Sequence, residues 1–156
     1  HNAAAGYWSI GTGCTQPYTA LTAHRETFGE GLLEALVQAE AGGRPTLLVA
    51  YDIESRGPLA TMAPSKGIVG AGLVLSPTVG DRSIARIRWR AVPASERTAV
   101  EPRNAELVAG SAMAPCLPFF EAVAVEQDRM VRLGLSPNLS LELHLEFPTS
   151  DDRRRS

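Results

Sequence analysis

Apolar residues recur at helical spacing from Phe28 through Leu32, Ala35 and Leu36 to Ala39, while Arg25, Glu26, Glu30, Glu34, Gln38 and Glu40 supply the polar positions. The pattern predicts an amphipathic helix, ended by Gly42-Gly43. Pro45 then leads into the continuous apolar run Thr46-Leu47-Leu48-Val49-Ala50-Tyr51-Asp52. Such a run directly after a helix predicts a strand buried on both faces, in the middle of an α/β sheet, so that helix, short loop and strand make half of a βαβ unit. Residues 53–66, with Gly57-Pro58, Pro64 and Ser65, read as a mobile loop.

Two later stretches alternate with a period of two. In residues 84–92, Arg86, Arg88 and Arg90 share one face, and Ile87, Trp89 and Ala91 the other. Near the end, Leu139, Leu141, Leu143, Leu145 and Phe147 alternate with Ser140, Glu142, His144 and Glu146. If the two strands pair, three arginines lie on the same face as two glutamates, with about 0.2–1 kcal/mol for each cross-strand contact of opposite charge. Residues 67–77 form another strand, whose glycines permit close backbone approach. No helix and no Lys-Ser/Thr pair follows those glycines, which argues against a phosphate-cradling loop. Residues 78–81 make a turn, and 93–103 a loop. Asn104 can cap a short helix over 105–109. Pro115 and Pro118 interrupt any longer helix, leaving a second short one with Leu117, Phe119 and Val123 toward the core.

The opening stretch, residues 1–24, is dense in small residues and poor in charge. It reads as a small-residue helix, a turn, a short buried strand and the start of a second helix, tightly packed. The chain begins at His1 without an initiator methionine, so part of the natural N-terminus is expected to be absent, with neighbouring strands lost. At the other end, Asp151-Asp152-Arg153-Arg154-Arg155-Ser156 is polar and charged, and residues 149–156 are expected to be disordered.

Composition narrows the classes. A chain of 156 residues fits one domain, and 44% hydrophobic content is enough for a core. The net charge of −2 gives no general attraction to nucleic acid or to an anionic membrane. There is no apolar run of the roughly 20 residues that span a bilayer, and no signal-peptide pattern. The cysteines, Cys14 and Cys116, are too few for a disulfide framework or a zinc site, which points to free thiols in a reducing cytoplasm.

Candidate chemistry is sparse. Of the histidines, His1 is terminal, His144 sits on a polar strand face and only His24 occupies a structured junction. Cys14 stands in a Gly-rich turn where a nucleophile could be placed, yet no histidine is patterned to activate it. Gly110-Ser111-Ala112 is too little for a nucleophile elbow. No metal-ligand spacing occurs, and no cofactor is called for.

The opening residues do carry a resemblance. Asn2-Ala3-Ala4-Ala5-Gly6, Gly13 and Pro17-Tyr18-Thr19-Ala20-Leu21-Thr22-Ala23 resemble the part of β-ketoacyl synthases that leads to their active-site cysteine, where a buried strand delivers the nucleophile to a helix N-terminus. The resemblance continues through the following helix, the strand at 47–51 and the segment at 67–75. More closely, His1-Asn2-Ala3-Ala4-Ala5-Gly6-Tyr7-Trp8-Ser9-Ile10 resembles the ketosynthase-like chain length factors of bacterial aryl polyene clusters. It implies an α/β, thiolase-like fold, the N-terminal half of a ketosynthase, with a mixed β-sheet of about five strands flanked by helices. The partial ketosynthase-like domain would span residues 1–148.

The departure from that family is as informative as the likeness. His24 stands where the synthases have their nucleophilic cysteine, after Thr22-Ala23, and an imidazole cannot form the thioester on which condensation depends. The two histidines that polarise the thioester carbonyl in active synthases come from the C-terminal half of their fold, which this chain is expected to lack. The resemblance therefore implies a non-catalytic chain length factor that pairs with a catalytic ketosynthase as a heterodimer, or self-associates, and serves an acyl carrier protein in fatty-acid or polyketide-type biosynthesis. Tyr7, Trp8, Tyr18, Thr22 and His24 would line or support the acyl tunnel or subunit interface, with core packing the competing reading for Tyr7 and Trp8. A free-standing acyltransferase or hydrolase using His24 as base or Cys14 as nucleophile stays open. So does a carrier-docking module built on Arg86, Arg88 and Arg90, against a solvated face that neutralises itself.

Overall fold

The computed structural model describes residues 3–62 and 64–148; His1 and the tail expected to be disordered lie outside the described residues. Helix α1 (Ala3–Thr12) is followed by an irregular segment, a 3₁₀ turn (His24–Glu26) and helix α2 (Thr27–Gly42). Strand β1 (Thr46–Ile53), the single turn of helix α3 (Leu59–Met62), and strands β2 (Ile68–Leu75) and β3 (Arg86–Pro93) come next. A short helix α4 (Pro102–Ala105) and two 3₁₀ turns lead to helix α5 (Leu117–Val125), then strands β4 (Arg129–Ser136) and β5 (Leu139–Glu146).

Helix α2 forms where its periodicity placed it, burying Phe28, Leu32, Ala35, Leu36 and Ala39. Gly43 ends it in the left-handed conformation, φ 59°, which a residue without Cβ adopts at no steric cost. The stripe packs against the inner face of a three-stranded sheet ordered β3-β5-β4, where Val131, Leu133, Leu135, Leu141, Leu143 and Leu145 are buried. Helix α5 closes the same core: Phe28, Phe119 and Phe120 meet as a ring trio with centroids 5.3–6.0 Å apart. From β3, the Trp89 indole N–H donates to Glu40 at 2.9 Å, tying the sheet edge to the end of α2.

Five strands are present among the described residues, but not as one mixed sheet. They form a β1-β2 hairpin and the sheet β3-β5-β4, and the pairings in both are antiparallel. The βαβ expectation fails because β1 leaves α2 and pairs antiparallel with the next strand, β2. Nor is β1 buried on both faces. Its positions alternate half-buried and exposed, since α2 covers one side while Leu47, Val49, Tyr51 and Ile53 face outward.

The short buried strand expected before His24 is absent: residues 14–23 have no regular structure and, apart from half-buried Ala23, are exposed. Extended backbone becomes a strand only through ladder bonds, and the described strands pair with one another instead. Its place among the five is taken by β4, whose Arg129-Met130-Val131-Arg132-Leu133-Gly134-Leu135-Ser136 also alternates. The predicted pairing of residues 84–92 with 139–147 holds, with Arg90 opposite Glu142 and Arg86 opposite Glu146.

Candidate functional site

The turn that opens α2 is the most constrained backbone near the residues singled out by sequence. His24 has φ 54°, left-handed space that a non-glycine residue enters at a cost of about 1–2 kcal/mol. Thr27 holds it locally: its Oγ1 accepts the Ala23 amide at 2.9 Å and donates to the His24 carbonyl at 2.7 Å. The imidazole itself is exposed. Among the described residues, none hydrogen-bonds to it, so no partner orients it as a general base.

Upstream, α1 ends in a Schellman motif. Gly13, φ 64°, donates its amide to Ile10, and Cys14 donates its amide to Ser9 at 3.0 Å. Cys14 is therefore exposed at the carbonyl end of a helix, the reverse of the amide end that activates catalytic thiols. Residues 16–19 then lie along α2, where Arg44 donates to Gln16 at 3.3 Å and Gln38 donates to Thr19 at 3.1 Å. Helix α1 buries no residue, with Tyr7 77% and Trp8 60% exposed. That excludes core packing for both rings within the described residues, and corrects the expectation of a tightly packed opening. Tyr18 and Thr22 are also exposed, and a Cβ on Gly6 would stand 3.7 Å from the Tyr18 hydroxyl.

A second polar node lies at the far end of β1. The Asp52 carboxylate accepts Ser65 Oγ, Ser111 Oγ at 2.8 Å and the Ala112 amide at 2.8 Å. Burial opposes its charge, but these bonds and one from the Ile53 amide together hold its pKa below the ordinary value. Ser111 is thus spent as a donor to a half-buried carboxylate. The other thiol, Cys116, is buried in the core, and desolvation pushes its pKa up to about 11.

The outer face of the three-stranded sheet carries the arginines. Glu142 is buried at its centre, accepting Arg90 Nε at 2.7 Å and Arg132 Nε at 2.9 Å, with His144 Nε2 at 3.2 Å. The hydrogen bonds from Arg90, then Arg132, then His144 hold its pKa down to about 2. Arg88 pairs with Glu146 at 2.7 Å. Among the described residues Arg86 has no carboxylate partner, and it opens onto a hollow of about 780 Å³ shared with Arg82, Ser83 and Glu126.

The family described as the β-ketoacyl synthase N-terminal domain matches residues 1–129, from the opening stretch through α5 to the first residue of β4. The chain belongs to this family. No solved structure matches it. No helix among the described residues is long and apolar enough to cross a membrane, and no cluster of three or more His, Cys, Asp or Glu side chains among them could hold a metal.

Within this β-ketoacyl synthase domain, the predicted residues fall into two separate groups. Tyr18, Thr22 and His24 lie on the approach to α2, with Tyr7 and Trp8 on the adjoining helix; Arg86, Arg88 and Arg90 lie on β3. Sequence reasoning passed over Asp52, Glu26, Arg97 and Gly134. Asp52 read as the polar end of an apolar run, and its partners lie 13 and 59 residues further on. Arg97 stood in a loop without pattern.

Proposed function

We propose that this ketosynthase-family chain is a non-catalytic chain length factor, which pairs with a catalytic β-ketoacyl synthase and shapes the tunnel for the growing acyl chain in fatty-acid or aryl polyene-type biosynthesis. The observation that carries the reading is the group at the start of α2: an exposed imidazole at His24, where the synthases it resembles have a thiol. A thioester needs a thiolate, and the two thiols present are ill placed for one, Cys14 at a helix carbonyl end and Cys116 in the core. Tyr7, Trp8 and Tyr18 then act by bulk, since filling a tunnel beyond its volume costs about 1–3 kcal/mol. Their exposure leaves these rings available to a partner subunit.

The acyl carrier protein is assigned to the arginine face. Arg90 is committed to buried Glu142, so Arg86, beside Arg82, is the arginine to test. A cytoplasmic location goes with this reading, supported by two unbridged cysteines. The test incubates the purified chain with acyl thioesters, alone and co-expressed with a ketosynthase, and weighs it by mass spectrometry. Co-purification without an acyl adduct is expected, with Tyr18→Ala lengthening the product and Arg86→Glu weakening carrier binding. An acyl adduct on the lone chain would overturn the proposal in favour of a free-standing acyltransferase.

A further inference from the structure

Among the described residues, the 3₁₀ turn that carries His24 makes one side-chain hydrogen bond to a residue beyond α2. The Glu26 carboxylate accepts the Arg97 guanidinium at 2.7 Å, and Arg97 comes from the loop after β3, 71 residues away in sequence. That loop is itself clamped to β4: the Thr98 amide donates to the Arg132 carbonyl at 3.1 Å, and the Arg132 amide donates to Thr98 Oγ1 at 2.9 Å. The pair crosses β4 where the strand has no side chain. A Cβ on Gly134 would stand 2.6 Å from the Arg97 guanidinium carbon, and closer still to Glu26 Oε2. Opposite it, a Cβ on Gly29 would meet the Gly134 carbonyl oxygen, so two glycines bring the first turn of α2 onto β4. Upstream, residues 14–23 have no regular structure, and their side-chain tethers at Gln16 and Thr19 run to Arg44 and Gln38, away from the sheet.

We infer that Arg97 is a positioning residue for His24, acting through Glu26. Thr27 shapes the left-handed turn, and the Glu26–Arg97 pair sets where that turn stands relative to the sheet. Glu26 Oε2 is buried and accepts no hydrogen bond among the described residues, so the carboxylate is held by Arg97 on one oxygen alone. Removing the guanidinium frees the carboxylate to swing out to water and the turn to move with it.

The test follows the His24 ring protons by NMR, assigned with His24→Gln, in the wild-type chain and in Arg97→Gln, Glu26→Gln and Arg97→Lys. Both glutamine variants are expected to shift and broaden the His24 signal with at most a modest fall in the thermal midpoint, and Arg97→Lys, which keeps the charge, to restore most of the original position. Glu26→Gln, nearly the shape of the native side chain, serves if Arg97→Gln does not fold. A His24 signal that is the same in the wild type and both glutamine variants overturns the inference. A second readout, the product length distribution of the complex with a ketosynthase, rests on the chain-length reading. If His24 moves and product length does not, positioning stands and that reading fails.

Discussion

Strands β1 and β5 are both eight residues long, yet they meet different surroundings. On β5, Leu141, Leu143 and Leu145 are at most 1% exposed under α2 and α5, and the other face places Glu142 between two arginines. Each face has a partner suited to its chemistry. On β1 the inward residues Leu48 and Ala50 are only half-buried, and the outward ones, Leu47, Val49, Tyr51 and Ile53, are apolar and 54–61% exposed. Alternation alone therefore does not fix how deeply a strand is buried; the number of layers laid against it does.

The contrast predicts its own largest effect. Leu143→Ala removes a fully buried side chain and should cost about 2–5 kcal/mol, read as a lower urea midpoint. Val49→Ala, on the open face of β1, should change the midpoint by less than about 0.5 kcal/mol. Equal losses at the two sites would erase the distinction between the sheets.

The same contrast explains what could be read beforehand. Helix α2 and the β3–β5 pair were legible because their periodicities are regular and their charges complementary, so local pattern and tertiary partner agree. The apolar run of β1 implied two covered faces, but composition states what a face would accept, and the described residues supply one helix. The strand before His24 was expected from resemblance, and residues 14–23 gain no ladder partner here. At the site, the unusual residue at position 24 was visible in sequence. Arg97 and Gly134, which hold its turn, were not, because their roles exist only through contacts across 71 residues and onto a bare strand backbone.

Gly134→Ala tests that bare backbone. The added methyl must displace the Glu26 carboxylate and Arg97, and since the carboxylate is partly enclosed, a loss of about 1–3 kcal/mol is expected by thermal or urea unfolding. Gly31→Ala is the control: its Cβ would meet only the end of Leu48 at an ordinary 3.6 Å, and alanine is the better helix former, so stability should rise slightly.

Acid titration then compares the charged face of β5 with the rest of the molecule. The folded pKa of Glu142 is lowered from 4.5 to about 2. A depressed carboxylate stabilises the fold fully above the unfolded value, and that contribution is lost as pH falls through the folded one. The stability difference between wild type and Glu142→Gln should therefore be constant above about pH 5 and shrink toward pH 2, as followed by urea midpoints along the series. Asp52, also lowered, adds to the same acid loss in both proteins, so the difference isolates Glu142. A difference that does not vary between pH 5 and pH 2 would contradict the assignment.

A smaller effect than these losses falls at His24, where backbone and side chain make opposite demands. At φ 54° a side chain costs about 1–2 kcal/mol, which glycine avoids, while glycine adds about 0.5–1 kcal/mol of unfolded-state entropy. His24→Gly should thus raise stability by up to about 1 kcal/mol, and His24→Ala, which keeps the Cβ and its strain, should not. A stable chain with glycine at position 24 would mean that the fold tolerates the imidazole and does not require it. If His24→Gly then altered the product of the complex while stabilising the chain, the residue would be kept for what it does at the start of α2, at a small cost to the fold.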